Sequence, residues 1–267
     1  STEPSRKKKR FLAPQEKYEI WMQLVRGETT VSEAAERARV DRATVAKLKT
    51  VDALIHVVRA FEDPEIAHSE GSVDPLRDVH TLDLELILSD HSLIERRLER
   101  LEKAAKRGAV PEEEREKRLL KEIVLPALEA ERPVRMLSLE PDDERLLRGY
   151  QLLTAKPMLV VLNVGEGEVA TATPKDFGID VAKHPAIVVS APIEEEISRL
   201  AAAEQKEFLG DLGLAEPSLD RVLRASFELL GRIAFFTVGE DEVRAWTIRR
   251  GTHAKEAAGT IHSDIER

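Results

Sequence analysis

The sequence predicts an α/β chain whose sheet is interrupted by helices, and three observations predict it. Residues 158–162 form a five-residue apolar run, Met-Leu-Val-Val-Leu, too short for a helix and suited to a buried central strand. Mainly apolar stretches at residues 53–58 and 186–191 stand before and after it and supply neighbouring strands. Between the first two runs, apolar residues recur at helical spacing over a long interval, so helices separate strands that are far apart in sequence.

Taken in order, residues 1–13 open with Arg6-Lys-Lys-Lys-Arg10, an arm without apolar periodicity. From residue 14 to 26 the positions Tyr18, Ile20, Trp21, Leu24 and Val25 repeat at helical spacing, with Gly27 as a stop. A second short helix follows at residues 31–38, then a turn at Arg39-Val40-Asp41, in which Asp41 caps a third helix from residue 42 to 49. Two short helices, an apolar turn residue and a polar third helix match helix-turn-helix geometry over residues 1–50. Residues 1–50 hold 12 Lys+Arg against 7 Asp+Glu, a balance of +5 in a chain of net charge −9. The rest of the chain therefore carries −14, and this split predicts a nucleic-acid-facing module on an acidic body. The segment resembles the N-terminal domain of bacterial insertion-sequence transposases, through Phe11-Leu-x-Pro-x-Glu-Lys-Tyr-Glu-Ile, Glu33-Ala-Ala-Glu-Arg and Val40-Asp-Arg-x-Thr-Val45. That resemblance implies that Arg42, Ala43, Thr44 and Lys47 face the major groove of duplex DNA, with Lys49 nearer phosphate. No Gly, Pro or Ser linker separates Lys49 from Val51, so the junction reads as a fusion.

The helical interval begins at Asp74-Pro75, a cap followed by proline in the first turn. Leu82, Leu84, Leu86, Ile87, Leu93, Ile94, Leu98 and Leu101 carry an apolar stripe as far as Arg107, and Gly108 breaks it. Pro111 and three glutamates open an antiparallel partner whose predicted apolar face is Leu119, Leu120, Ile123 and Leu128. A further helix is predicted from residue 141 to 153, and after the third strand two more, at 193–208 and 219–230. Residues 233–238 and 243–248 then read as a β-hairpin around Gly239-Glu-Asp-Glu242.

The chemistry-bearing stretches lie where the strands end. The central strand runs into Asn163-Val164-Gly165-Glu166 and the third into Ser190-Ala191. A nucleotide-binding α/β domain carries its base-reading loops at this carboxyl edge of the sheet. Strand, Asn-x-x-Glu, strand, Ser-Ala is the downstream half of a GTPase-like site in a partial P-loop NTPase sheet. With no cysteine among 267 residues, disulfides and thiolate metal sites are excluded, and a reducing compartment fits. The seven histidines show no ligand spacing, so no metal centre is expected. No apolar run reaches the roughly 18 residues of a membrane helix, and the expectation is a cytoplasmic chain with no membrane partner.

Residues 51–267 resemble the YchF/Obg-like ATPase family. The matching stretches are Val51-Asp-Ala-Leu-Ile-His-Val-Val-Arg-Ala-Phe-Glu-Asp63, Gly71-Ser-Val-Asp-Pro-Leu-Arg-Asp78, Leu152-Leu-Thr-Ala-Lys-Pro157 and residues 235–250. The resemblance implies a G domain over residues 51–232 with a helical insertion at about 81–150, and the start of a TGS domain at 233–267. It implies a ribosome-associated, ATP-binding member of the GTPase superfamily. Asn163 would then support the base loop, Val164 lie at the adenine and Glu166 reach the base, with Ser190 and Ala191 closing it from the other side. Lys103, Lys106, Arg107, Arg115, Lys117 and Arg118 at the tip of the helical arm become the candidate contacts to RNA or ribosome. Gly165 departs from the polar residue more usual in the family, which predicts a looser loop.

A phosphate cradle of the G-x-x-x-x-G-K-[S/T] type needs a glycine directly before a lysine, and none of the 13 glycines precedes one. Nor does any occur in D-x-x-G, so the Mg²⁺ ligands expected in the family are missing from this sequence. The sequence therefore predicts a hydrolysis-incompetent fragment or fusion with a weak ATP site and no catalytic residue. The alternative is a DNA-binding helix-turn-helix protein of transposase origin whose YchF-like body is a passenger.

Overall fold

The computed structural model describes residues 48–262 apart from Ser69, Arg107 and Ala109. The helix-turn-helix expected at residues 1–50 lies outside these residues, save for Leu48, Lys49 and Thr50. The described chain divides into two compact units, residues 48–51 with 63–156, and residues 52–62 with 157–262.

The first unit is helical. Its long helix α1 (Pro75–Ala105) starts where Asp74 accepts a hydrogen bond from the Arg77 N–H at 3.0 Å and Pro75 fills the first turn. The second arm of the hairpin is α2 (Pro111–Leu119), a π-helical turn (Leu120–Val124) and α3 (Leu125–Glu129). Contacts between the arms run in opposite directions, with His80 beside Glu131, His91 beside Glu129 and Arg97 beside Glu116, so the hairpin is antiparallel. Its core joins Leu84, Ile87, Ile94 and Leu101 of α1 to Leu119, Leu120, Val124 and Leu128.

The widened turn alters the expected face. The Leu125 N–H donates to the Leu120 carbonyl, five residues back, just before Pro126, which has no N–H to continue the normal ladder. The register shifts, so Val124 is fully buried while Ile123, expected inside, is exposed. The helix predicted at residues 141–153 is also shorter. As α4 (Pro141–Arg148) it stops at Gly149, and Gln151 then adopts φ +51, which no helix continues.

Two polar devices fasten this unit. Arg97 makes a bidentate pair with Glu116, at 2.6 and 2.8 Å, and also donates to the Tyr150 hydroxyl at 3.2 Å. Asp90, with no exposed surface, accepts from the N–H groups of Leu153 and Thr154 and from the Thr154 hydroxyl, at 3.0, 2.7 and 2.6 Å. One carboxylate thereby satisfies the backbone of a segment that has left helical geometry.

The second unit is built on a parallel sheet in the order β1 (Leu54–Arg59), β2 (Met158–Asn163), β3 (Ala186–Val189). The register sets Arg59 opposite Asn163 and Asn163 opposite Val189, so all three strands end at one edge. β2 is buried along its apolar length, as expected of a central strand. The predicted helix 193–208 is two helices, α5 (Ala191–Arg199) and α6 (Ala202–Asp211). Leu200 is extended between them, and the Glu204 carboxylate accepts from the Ala201 N–H at 3.0 Å to cap the second. Helix α7 (Ser218–Leu229) packs Val222, Ala225 and Leu229 on Leu159, Val161, Ile187 and Val189. The hairpin β4 (Arg232–Val238) and β5 (Val243–Arg249) pairs Phe235 with Trp246, and the indole N–H donates to the Thr237 hydroxyl at 2.9 Å. A short helix α8 (Ala254–Gly259) follows.

Candidate functional site

The carboxyl edge of the parallel sheet gathers the chemistry-bearing residues. Parallel strands leave their last carbonyls and the loops that follow on one side of the sheet, where those loops can meet around a ligand. Asn163 closes β2, and its side-chain oxygen accepts a hydrogen bond from the Ala191 N–H at 2.9 Å. This bond joins the two loops that the sequence singled out, 28 residues apart. The backbone draws them together as well, because the Val164 N–H donates to the Val189 carbonyl at 2.9 Å and the Ala60 N–H to the Asn163 carbonyl at 2.8 Å.

Within this frame the predicted residues take different places. Glu166 opens a short 3-10 turn (Glu166–Glu168) and is exposed, as is Ala191 at the first turn of α5. Val164 is 1% exposed, so it supports the loop from inside and offers no open surface. Ser190 is wholly buried at the N-cap of α5, and among the described residues its hydroxyl has no hydrogen-bond partner. A buried hydroxyl without a partner carries an energetic cost of about 1–3 kcal/mol. Gly165 has φ −66, a conformation open to any residue, and an added Cβ would meet the Glu168 carboxylate at 3.5 Å and the Phe61 Cβ at 4.0 Å. Those are ordinary contacts, so this glycine is not required by the turn.

Two residues at the same edge were not singled out in the sequence. Arg59 ends β1 opposite Asn163, donates from Nε to the Phe61 carbonyl at 2.9 Å and stacks over the Phe61 ring, 4.8 Å from its centroid. Phe61 thus forms a wall beside the loop at Gly165. The available signal was a cation and an aromatic ring directly after an apolar strand, at the edge where ligands bind.

The Ala191 N–H and the Asn163 side-chain oxygen are bonded to each other and Ser190 is wholly buried, so of the predicted polar groups the Glu166 carboxylate is the exposed one at this edge. Of the lysines close to these loops in sequence, Lys183 lies 3.8 Å from Asp180, while Lys156, in the helical unit, donates to the carbonyls of Lys49 and Val51 at 3.1 and 2.5 Å. Among the described residues no three His, Cys, Asp or Glu side chains group to hold a metal ion.

In the helical unit, Lys103, Lys106 and Arg118 are exposed around the end of the hairpin, Lys117 is half-buried, and Arg107 lies outside the described residues. Arg115 is engaged by the start of α4, donating to Asp143 at 2.7 Å with Asp142 at 3.8 Å. Of the residues expected at DNA, Arg42, Ala43, Thr44 and Lys47 lie outside the described residues. Lys49 is half-buried. No helix among the described residues is long and apolar enough to cross a membrane.

Comparison with known proteins gives similarity at three levels. Residues 232–267 match the family model YchF-GTPase_C, described as a protein of unknown function (DUF933). The chain is 43% identical to the ribosome-binding ATPase YchF of Bacillus subtilis over 232 residues, covering 84% of this chain and 62% of that protein. It is 35% identical to Obg-like ATPase 1 of Rattus norvegicus, again over 84% of this chain and 59% of the relative. Among solved structures, the Schizosaccharomyces pombe YchF GTPase superposes with a TM-score of 0.74 at 32% identity, over 84% of this chain and 62% of that one. The chain thus spans about three fifths of the length of these relatives, and over that span the similarity holds in both sequence and fold.

Proposed function

We propose that residues 51–267 form the base-reading part of a YchF-type ATPase and that this chain binds adenine nucleotides through the base without hydrolysing them. The observation that carries the reading is the Asn163–Ala191 bond, which locks the two base loops together beside the orphaned Ser190 hydroxyl. In this reading Asn163 and Ser190 shape the loops, Glu166 meets the exocyclic edge of the adenine, and the Phe61 ring borders the base. Phosphoryl transfer requires donors and a metal preorganised around the γ-phosphate. This sequence has no glycine–lysine pair to build such a cradle, so no turnover follows from it. The names of the relatives add ribosome binding as the proposed partner, with the exposed Lys103, Lys106 and Arg118 as its candidate contacts, and a cytoplasmic setting follows from that partner.

The test is titration with adenosine, in parallel with an assay of phosphate release from ATP. Glu166→Ala and Asn163→Ala are each expected to weaken adenosine binding, with phosphate release at background in every form. Sustained release that Glu166→Ala abolishes would overturn the reading. The balance of +5 over residues 1–50 supports a second reading, binding to duplex DNA. Salt-dependent retention on duplex DNA without co-sedimentation with ribosomes would favour that alternative.

A further inference from the structure

The Ser190–Ala191 loop is fastened on two sides. Towards the first base loop, the Val189 carbonyl accepts from the Val164 N–H at 2.9 Å and the Ala191 N–H donates to the Asn163 side chain at 2.9 Å. Towards α7, the Val188 carbonyl accepts from Arg221 Nη2 at 2.7 Å, and the same nitrogen donates to the Ser218 hydroxyl at 3.0 Å. A further tie comes from Glu194, in the first turn of α5, whose own N–H closes on the Ser190 carbonyl at 3.1 Å. Its carboxylate accepts from the N–H groups of Ser218 and Leu219, at 2.6 and 3.2 Å, across 24 and 25 residues. These are the first two N–H groups of α7, and a helix has no internal acceptor for them. The residue before them is Pro217, which has no side-chain acceptor, and Glu216 is held by Arg224 at 3.0 and 2.6 Å. Glu194 therefore caps α7 from another helix, with its negative charge at the positive end of the α7 dipole.

We propose that Glu194 and Arg221 are positioning residues for the proposed adenine site: they fix the Ser190–Ala191 loop against α7 and so set where Ala191 meets Asn163. The role rests on the base-reading proposal, and the packing gives it a direction. Asn163 reaches the loop by one side-chain bond, whereas Val222, Ala225 and Leu229 of α7 pack on four apolar residues of β2 and β3. The helix is the firmer body, so the loop takes its place from α7 through these two side chains. Arg221 holds the strand two residues before Ser190, and Glu194 holds the helix four residues after it, so losing either frees one end of the loop. Ser218 is 1% exposed, so water does not reach its N–H when the carboxylate is removed. The start of α7 must then part from α5 to satisfy that donor, and the loop moves with it.

Hydrogen exchange of the full chain, followed residue by residue by NMR, tests this with Glu194→Ala, Glu194→Gln and Arg221→Met. In Glu194→Ala the Ala191 N–H should exchange about tenfold faster or more, with the amides of residues 158–162 unchanged within about twofold. Glu194→Gln keeps one oxygen acceptor and should fall between Glu194→Ala and the unaltered chain. Adenosine should bind about fivefold more weakly to Glu194→Ala and to Arg221→Met. Ala191 exchange that stays the same in Glu194→Ala would overturn the proposal. So would an equal rise across residues 158–162, which marks a general loss of stability, or undiminished adenosine binding by a chain whose Ala191 has loosened. An unaltered chain that binds no adenosine would sink the base reading instead, and the Ala191 exchange then decides the positioning role alone.

Discussion

Replacing Asp90 tests how the helical unit holds the segment that leads back to β2. The Asp90 carboxylate is fully buried and accepts three hydrogen bonds, from two backbone N–H groups and a hydroxyl at residues 153 and 154. Thr154 and Leu153 are themselves without exposed surface, so water cannot take over those donors unless the structure opens. Asp90→Ala strands three buried donors, each costing about 1–3 kcal/mol, offset in part by removing a buried charge. A net loss of about 3–4 kcal/mol follows. Asp90→Asn keeps one oxygen acceptor but turns an NH₂ towards a donor, and should cost about 1–2 kcal/mol. Urea unfolding followed by far-UV circular dichroism gives the two losses. Hydrogen exchange at residues 150–156 should show the protection vanish in Asp90→Ala. A loss under about 1 kcal/mol for Asp90→Ala, or equal losses for both variants, would refute the proposed anchoring.

Two further predictions concern His91 and Gly165. Burial lowers His91 from the ordinary 6.5 to about 4, with Glu95 at 3.6 Å and Glu129 at 4.0 Å as the carboxylates facing it. Its folded value lies below the unfolded one, so the unfolded chain takes up more protons between pH 6.5 and 4 and stability falls as the pH is lowered through that window. The His91 contribution is about 3 kcal/mol. Burial raises Asp90 and Glu95, which act in the opposite sense, so the His91 part is read as the difference from His91→Gln in denaturant midpoints across that range. Identical pH profiles for the two proteins would contradict it. Gly165→Ala should raise stability by about 0.4–1 kcal/mol through the unfolded chain, because φ −66 and the 3.5 Å contact accommodate a methyl group. A lower melting temperature would show that the loop needs glycine after all.

Much of this fold is legible in the sequence where periodicity and burial agree. The run at 158–162 is the buried central strand, and Asp74-Pro75 starts the long helix, because each is set by local chemistry. What periodicity misses comes from breaks in helical geometry. The π turn before Pro126 exchanges Ile123 for Val124 in the core, and an extended Leu200 divides a helix that the apolar pattern runs together. At the candidate site, the motif spacing identifies Asn163 and Ala191, which the structure joins directly. Val164 turns inward and Arg59 and Phe61 enter the edge through strand register, which depends on pairing between segments about a hundred residues apart in sequence.

Calorimetric titration with ATP, ADP and adenosine, each with and without Mg²⁺, tests the central claim most directly. If binding rests on the base loops at Asn163, Glu166 and Ser190, the three dissociation constants should agree within about threefold and shift by less than about twofold with Mg²⁺. ATP binding about 100-fold tighter than adenosine, and only with Mg²⁺ present, would contradict the account by revealing a phosphate site in this chain.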